Sequence, residues 1–537
     1  MPRTMSDSVA VVRETERKYE ADDAVVLLDP ARLLGLDPGS QPEEQQLEAI
    51  YFDTPDLRLL RAGVTLRRRK GGSDEGWHLK LPAGQDSRDE LRLPLTRARS
   101  KPPAEFVALT RLNTRGTALG PVAQLNTQRR RWVLADAEGH ELAELVEDQV
   151  NAHTMGKQTT AVSWREVEVE LGEHGQVELL DRIERELLEV GAHRSSSGSK
   201  LGRLLADQLQ PPAGKDSTKG SANGASKASA KDSGKGGKPK VKRGSAGEAV
   251  LAYLGAQAEQ LRAQDPLVRR DALDAVHQMR VAARRMRSVL QAYGNVIDGE
   301  ATRGLTDELK WLGGELAGAR DSEVIEERLT SVLHALPDDA VLGPVAAQLT
   351  RSLQRRGAEG REAALAALDS DRYLALHDAV DQLLADPPLT ARASRPARKE
   401  LARGVAKVWR RMENRMASAD AAAPGEEHDI ALHEARKSGK RLRYALEVAE
   451  PSVGKPAERF RLRAKDVHTL LGDHQDAVVA RPVLRELAAQ AHLDGGNGFT
   501  HGVLYGLEVV RAERAERELP EAWRRLGEPA NTKWLKS

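Results

Sequence analysis

The run Glu14-Thr15-Glu16-Arg17-Lys18 decides how the first half of this chain is read. In an extended strand the side chains at i, i+2 and i+4 share a face, so Glu14, Glu16 and Lys18 point together. Val9, Val11 and Val12 beside them give the segment strand character, yet the shared face is wholly charged. Such a face meets water at a sheet edge, or a metal, or a charged ligand, and the rest of the sequence has to choose.

Further charged strand faces follow. Arg67 and Arg69 alternate with Leu66, Lys80 follows Trp77-His78-Leu79, Arg88 and Glu90 share a parity, and Arg129 and Arg131 precede Trp132 and Leu134. Glu166, Glu168 and Glu170 alternate with Val167, Val169 and Leu171, so one parity suits a core and the other is acidic throughout. Carboxylates stacked on one face repel one another unless a cation or basic side chains lie opposite. If these strands close into a barrel, acid and base meet in its interior. An all-oxygen ligand set points to Mg²⁺ or Mn²⁺ rather than zinc.

The segments Leu66 to Arg69, Trp77 to Leu81, Arg129 to Ala135, Glu141 to Val146 and Ser163 to Leu171 are bounded by Gly-Gly, Pro-Ala-Gly and Glu-Gly turn signals. They predict an antiparallel β-rich domain with a few helices. From Pro211 to Ser245 hydrophobic periodicity gives way to Gly, Ser, Ala and Lys, a composition that cannot bury enough apolar surface to offset its ordering entropy. It reads as a flexible tether whose excess of lysine, from Lys215 to Arg243, can also graze a polyanion. Beyond it, Gly247 to Gln264, Ala272 to Tyr293, Arg398 to Ala417 and His433 to Val448 carry apolar residues at helical spacing, predicting an almost wholly α-helical second domain.

Composition supports this division. A chain of 537 residues exceeds one ordinary core, so two or more domains are expected. With a net charge of +1, any polyanion site must come from local clusters rather than a global field. The absence of cysteine excludes disulfides, thiolate metal sites and a cysteine nucleophile. The N-terminus has no apolar leader and no uncharged apolar run reaches spanning length, so the expectation is a cytoplasmic protein without a membrane partner.

The helical half contains an internal repeat. His277-Gln-Met-Arg280-Val-Ala-Ala-Arg284-Arg285-Met-Arg287 returns as His433-Glu-Ala-Arg436-Lys-Ser-Gly-Lys440-Arg441-Leu-Arg443. Downstream, Lys310 through Leu316 to Arg320-Asp321 returns as Lys465 through Leu471 to Gln475-Asp476. A separation of about 155 residues is too long for a solenoid unit and indicates a duplicated bundle. In both copies the polar residues fall at 0, 3, 7 and 10 from the histidine, an arc of about 80° along about 15 Å of helix. Ala275, Met279, Ala282, Met286 and Val289 form the opposite, apolar seam. Each stripe alone is compatible with a solvated face, but solubility does not require the same phase and leading histidine twice. Arginine offers fixed forked donors to phosphate oxygens and lysine a point charge, so two facing stripes suit an extended polyanion. The histidines are either satisfied core residues or further phosphate donors. Nucleic acid is disfavoured as partner because aromatics are only 3% of the chain and none interleaves the stripes to stack on bases.

These residues resemble two known modules. Residues 9–208 are similar to a CYTH domain of the triphosphate tunnel metalloenzyme superfamily, through Glu14-x-Glu16-x-Lys18, Tyr51-Phe-Asp53-Thr-Pro, Leu66-Arg67-Arg-Arg69, Leu79-Lys80, Arg88-x-Glu90, Arg129 to Trp132, the acidic strand to Glu170, and Ser199-Lys200-Leu. Residues 246–530 resemble a CHAD domain, the conserved-histidine α-helical module, through the repeated His-x-x-Arg helices; 209–245 is the tether. The resemblance implies an α+β domain built on an eight-stranded antiparallel β-tunnel, followed by an all-α duplicated bundle. It implies that Glu14, Glu16, Glu168 and Glu170 hold Mg²⁺ or Mn²⁺, with Glu166 and Asp148 as further carboxylates. Lys18, Arg67, Arg69, Lys80, Arg129 and Lys200 would clamp phosphates, with Arg131 an alternative to Arg129, and Glu90 would orient; Glu14, Glu16, Lys18 and Glu90 form the catalytic group. The chain departs from the pattern at Arg68, in place of an apolar residue, and at Arg17 inside the opening motif, both of outward parity.

The expected activity is hydrolysis of inorganic triphosphate, or of a nucleoside or thiamine triphosphate, with water attacking in line. His277, Arg280, Arg284, Arg287, Lys310, His433, Arg436, Lys440, Arg443 and Lys465 would bind long-chain polyphosphate, as the resemblance implies, and place the protein at polyphosphate granules. The rivals are polyphosphate binding by both domains without turnover, adenylate cyclase chemistry on ATP, and nucleic-acid association through the Lys-rich tether.

Overall fold

The computed structural model describes residues 10–22, 42–84, 86–96, 100–156, 159–209 and 241–536, the side chains of residues 10 and 320–323 excepted. Most of the expected tether, Val9 and the Arg320-Asp321 pair lie outside this description. The chain divides into two compact units between Ala228 and Ser229. Among the described residues no helix is long and apolar enough to cross a membrane.

The first unit is built on β1 (Ala10–Ala21), β2 (Glu43–Asp53), β3 (Thr65–Lys70), β4 (Gly76–Gly84), β5 (Ser87–Leu93), β6 (Gly120–Ala135), β7 (Glu141–Thr154), β8 (Ala161–Leu171) and the short β9 (His193–Arg194). Eight strands pair antiparallel in the order β5-β4-β3-β2-β6-β7-β8-β1, and a further β5–β1 pairing closes the ring, while β9 pairs with β1 at Tyr19 and Glu20. The closure falls inside the opening motif. Val12 and Glu14 pair with Glu90 and Arg88 of β5, whereas Glu16 and Lys18 pair with Glu170 and Glu168 of β8. Val11 and Val12, which give this segment its strand character, are exposed rather than core residues.

Alternation turns the barrel inside out. The apolar parity of each strand faces outward onto helices, and the charged parity faces the lumen. Helix α3 (Val177–Glu189) lays Leu180, Ile183 and Leu187 across Tyr19, Trp132, Leu134, Val167 and Val169. Phe106 and Leu109 of α2 (Ala104–Thr114) cover Leu66, Trp77, Leu79 and Leu91. Each such buried side chain contributes roughly 1.5–3 kcal/mol, so the hydrophobic stabilisation of this unit lies outside its tunnel. The turn after β3 needs Gly71, whose φ is 82° and where a Cβ would stand 2.1 Å from the Gln46 carbonyl oxygen. The Tyr51-Phe-Asp53-Thr-Pro motif is explained by Asp53, whose carboxylate accepts the Thr54, Leu59 and Leu60 N–H groups at 2.7, 2.9 and 2.9 Å. It thereby pins α1 (Arg58–Arg61) to the end of β2.

Near the end of this unit, Ser199 caps α4 (Lys200–Leu204), its Oγ accepting from the Gly202 N–H at 3.0 Å. Leu201 and Leu204 join an apolar cluster with Tyr51, Leu125 and Val150, which anchors the short helix and aims Lys200 at the lumen. Helix α5 (Ala206–Leu209) follows.

The second unit is helical: α6 (Ala246–Arg269), α7 (Ala275–Ala292), α8 (Arg303–Glu315), α9 (Ala317–His334), α10 (Val345–Leu368), α11 (Asp371–Ala385), α12 (Ala397–Ala421), α13 (Glu426–Val453), α14 (Lys455–Leu493), α15 (Phe499–Leu526) and α16 (Pro529–Thr532). The predicted seam of α7 is buried along its length: Ala275, Met279, Ala282, Met286 and Val289 are each at most 2% exposed. The two repeat helices, α7 and α13, pack against one another, and α14 lies on α13.

Candidate functional site

The lumen of the barrel is a cavity of about 300 Å³, at the small end of the range for small-molecule pockets. Glu14, Glu16, Lys18, Arg67, Arg69, Lys80, Glu90, Arg129, Arg131, Glu168, Glu170 and Lys200 all line it. Arg17 is turned away and pairs with Asp181 and Glu184 of α3, at 2.7 and 2.8 Å. Arg68 is buried and does not line the cavity.

Acids and bases interleave inside. Lys18 bridges Glu16, at 2.9 Å, and Glu168. Lys80 bridges Glu14 and Glu90, the latter at 3.7 Å. Lys200 reaches Asp148, Glu166 and Glu168 at 2.9, 2.7 and 2.9 Å. Arg129 grips Asp148 with both ends of its fork at 2.8 Å. Arg131 shares the parity of Arg129 but lies nearer the rim, paired with Glu43 at 3.2 Å and Glu144 at 2.8 Å. Both candidates therefore face the cavity, and they differ in depth.

Charge balance is uneven across the lumen. Burial opposes ionisation of Glu16, but Lys18 and Lys80 overcome it and bring its pKa down to about 2. Burial pushes Glu170 up to about 8, with Glu14 and Glu16 adding to the effect and Lys80 offsetting it only in part. On the basic side, burial and the adjacent Arg67 and Arg129 lower Arg69 to about 9. The Nε–H groups of Arg67 and Arg69 are buried donors with no acceptor. One region thus favours an added cation and the other an added anion.

Glu90 is 1% exposed and is the most heavily tethered carboxylate. It accepts from His78 Nδ1 at 2.9 Å and pairs with Arg67 at 3.6 Å and with Arg92. Burial opposes its ionisation, but the His78 hydrogen bond and the Lys80 and Arg67 charges hold it far below the usual carboxylate range. His78 Nε2 also lies 2.8 Å from the Asp74 carbonyl; burial lowers the imidazole to about 4, so the neutral ring has one N–H and donates to only one of these two acceptors. The sequence reading gave no role to Asp74, His78, Arg92 or Glu144, although His78 and Arg92 carry the same parity as Lys80 and Glu90 and were within reach of that signal.

Three buried carboxylates, Asp148, Glu166 and Glu168, each place an oxygen within 4.8 Å of the others. This all-oxygen donor set fits a hard divalent cation. Glu16 and Glu170 stand opposite one another across β1 and β8, while Glu14 is drawn toward Lys80 and Arg92.

The helical unit holds a second charged site. His277, Arg280, Arg284 and Arg287 on α7, and His433, Arg436, Lys440 and Arg443 on α13, are all half-buried. The two stripes face one another closely enough for Arg280, Arg436 and Arg443 to press on Arg284. Among the described residues the compensating charge is sparse: Arg436 pairs with Asp476 at 3.3 Å, and Glu447 lies 3.4 Å from Arg285 and 3.7 Å from Arg443. The Nε–H groups of Arg284, Arg287, Arg436 and Arg443 are buried without acceptors, a desolvation cost that phosphate oxygens would remove. Arg285 and Arg443 also stack on Tyr444, 5.7 and 5.0 Å from its ring centre. His433 donates from Nδ1 to Gln475 at 2.5 Å. Lys310 and Lys465 are exposed, unlike the half-buried stripe residues. His468 on α14, absent from the sequence reading, sits among Lys440, Arg443, Arg436 and Arg284.

The CYTH domain family matches residues 12–204 and the CHAD domain family residues 252–485, falling on the barrel and on the helical unit. Two uncharacterized proteins of Mycobacterium tuberculosis, MT2285 and Rv2226, are each 36% identical to this chain over 534 residues, covering 96% of it and 96% of their own length. Among solved structures, PptA from Streptomyces chartreusis is 25% identical, with a TM-score of 0.45 over 52% of this chain and 99% of that one. The CHAD domain from the plant Ricinus communis is also 25% identical, with a TM-score of 0.37 over 55% of this chain and 92% of that one. With both family models matched in this order along it, the chain belongs to the family of proteins that join a CYTH domain to a CHAD domain.

Proposed function

We propose that the tunnel hydrolyses a short triphosphate, most simply inorganic triphosphate to pyrophosphate and phosphate, and that the helical domain binds long-chain polyphosphate. The CYTH superfamily includes triphosphatases and cyclase-like enzymes, and its tunnel enzymes depend on metal. The observation that carries the hydrolase reading is a 300 Å³ lumen with crowded guanidinium groups on one part of its wall and a carboxyl pushed up to about 8 on another. A ligand with many anionic oxygens and a divalent counter-ion relieves both imbalances together.

In this reading Lys18, Arg67, Arg69, Lys80, Arg129 and Lys200 take the phosphate oxygens, and Arg131 guides the chain at the rim. Glu14, Glu16, Glu168 and Glu170, with Asp148 and Glu166 beside them, would hold Mg²⁺ or Mn²⁺, which supplies charge neutralisation to the transferred phosphoryl group. Glu90, clamped by His78, keeps Lys80 and Arg67 in place. Water attacks the terminal phosphorus, the bridging P–O bond breaks, and pyrophosphate leaves into the basic wall. Lys18 and Lys200 bridge these carboxylates, so a cation held there would leave their ammonium groups to the phosphate oxygens.

The test is phosphate release from inorganic triphosphate, ATP and thiamine triphosphate with Mg²⁺ or Mn²⁺, for the wild type and Glu16→Ala. Metal-dependent turnover that the variant lacks supports the reading. Equal inactivity of both on all three substrates removes it, and cyclic AMP with pyrophosphate from ATP replaces it with cyclase chemistry. For the helical domain, the uncompensated cations of the two stripes support polyphosphate binding, with localisation at polyphosphate granules as its consequence. Binding to long-chain polyphosphate in preference to RNA at matched salt tests it, because phosphate contacts are salt-sensitive.

A further inference from the structure

We propose that the cationic cleft of the helical domain takes up a proton when it binds a phosphate polyanion, with Lys440 as the principal acceptor and His468 as a second. This rests on the polyphosphate reading above and adds a regulation to it: the free cleft carries less charge than its composition implies, and the ligand completes it.

The geometry is a crowd of like charges. Lys440 on α13 faces Arg436 of its own helix, Arg284 and Arg280 of α7, and, among the described residues, the carboxylate of Asp476 on α14. His468 of α14 faces Lys440, Arg443 and Arg436 of α13 and Arg284 of α7, with its Nε2 buried and without a partner. Where the downstream segments of the two repeats align, with Lys465 on Lys310, the first copy has Gly313 at the place of His468, so the imidazole belongs to one side only. Guanidinium groups cannot shed their protons at ordinary pH, whereas an ammonium or an imidazole can. The strain of the crowd therefore falls on Lys440 and His468.

Burial, then Arg436 and Arg284, push Lys440 down to about 6, with Asp476 offsetting only part. Burial, then Lys440, Arg443 and Arg436, push His468 down to about 3. A polyanion laid along the stripes reverses the sign of the field at both groups. The sign of the linkage follows. Above about pH 6 the free cleft holds Lys440 neutral and the bound cleft holds it protonated, so binding consumes a proton and weakens as pH rises. One proton corresponds to about a tenfold loss of affinity per pH unit, from about pH 6 up to the bound-state pKa. His468 adds a shallower dependence on the acid side.

The experiment is calorimetric titration of the full chain with long-chain polyphosphate, whose internal phosphates stay ionised, from pH 6 to pH 8.5. It is run with a chelator to stop turnover and in two buffers of different ionisation enthalpy, so that proton uptake is read directly. The wild type should take up close to one proton at pH 7.5 and lose affinity about tenfold per pH unit. Lys440→Arg, charged throughout, should take up none and bind more tightly than the wild type at pH 8. Lys440→Met should lose the pH dependence while binding weakly at every pH. Tight binding by the wild type with no proton uptake, or a Lys440→Arg variant with the wild-type pH profile, overturns this inference and leaves polyphosphate binding standing. No binding at any pH overturns both.

Discussion

The tunnel and the cleft are both lined with arginine and lysine, but among the described residues the tunnel carries many more counter-charges than the cleft. In the tunnel Lys18, Lys80, Arg129 and Lys200 all rest on carboxylates. In the cleft Asp476 and Glu447 stand against two converging stripes. A buried charge is tolerated when it is paired, so the tunnel's lysines and arginines are largely compensated by its own carboxylates. The cleft is under-compensated and favours an anion alone. The same residue types thus fit metal-assisted phosphoryl transfer in one place and simple retention of a polyanion in the other.

The contrast can be broken most directly at Glu16. Replacing it with Ala should lower metal-dependent phosphate release by about 100-fold or more, the scale of losing a preorganised electrostatic group, without weakening polyphosphate binding. If both fall together, the two sites are not independent. Charge reversal at Arg436 or Arg280 should weaken polyphosphate binding by about tenfold or more, as expected for a charge-assisted contact made repulsive, with triphosphate turnover as the control. Unchanged affinity would mean that the half-buried stripes serve only packing.

A subtler difference lies in stability against pH. Lys440 is lowered in the fold from 10.5 to about 6, so between these values the unfolded chain binds the extra proton. Stability of the ligand-free helical domain should therefore rise as pH is raised from 6 toward 10.5, and Lys440→Met should flatten that rise. Thermal melts across this window check it. The smallest effect is expected at His78: His78→Ala removes one hydrogen bond from Glu90 and should cost the tunnel domain about 1–3 kcal/mol, since Arg67, Lys80 and Arg92 still hold the carboxylate. A denaturation curve reads this, and a null result would show that the imidazole is redundant.

Much of this was legible in the residues because a two-residue period assigns each side chain to a face. Glu166, Glu168 and Glu170 opposite Val167 and Val169 already described a strand with an acidic lumen side and an apolar helix side. Parity does not give depth, which is why Arg129 and Arg131 were equivalent on paper and differ in the barrel. Nor does it give the partner across the ring: that Asp148 joins Glu166 and Glu168 around Lys200 depends on the β7–β8 register and on the placement of α4. In the helical half, the 0, 3, 7, 10 spacing gave the stripes, whereas His468 comes from a third helix whose approach no local spacing encodes. Lys310 and Lys465 show the converse, since their repeat position was clear but their side chains lie in the open.

The strand that opens the chain is also the one that shuts the ring, changing neighbours between Thr15 and Glu16. Glu16 and Lys18 gain their partners only once the eighth strand, far along the chain, has docked. Pairings so distant along the sequence form late. A first domain stopped short of its eighth strand would then hold the opening glutamates without the charged lumen that surrounds them.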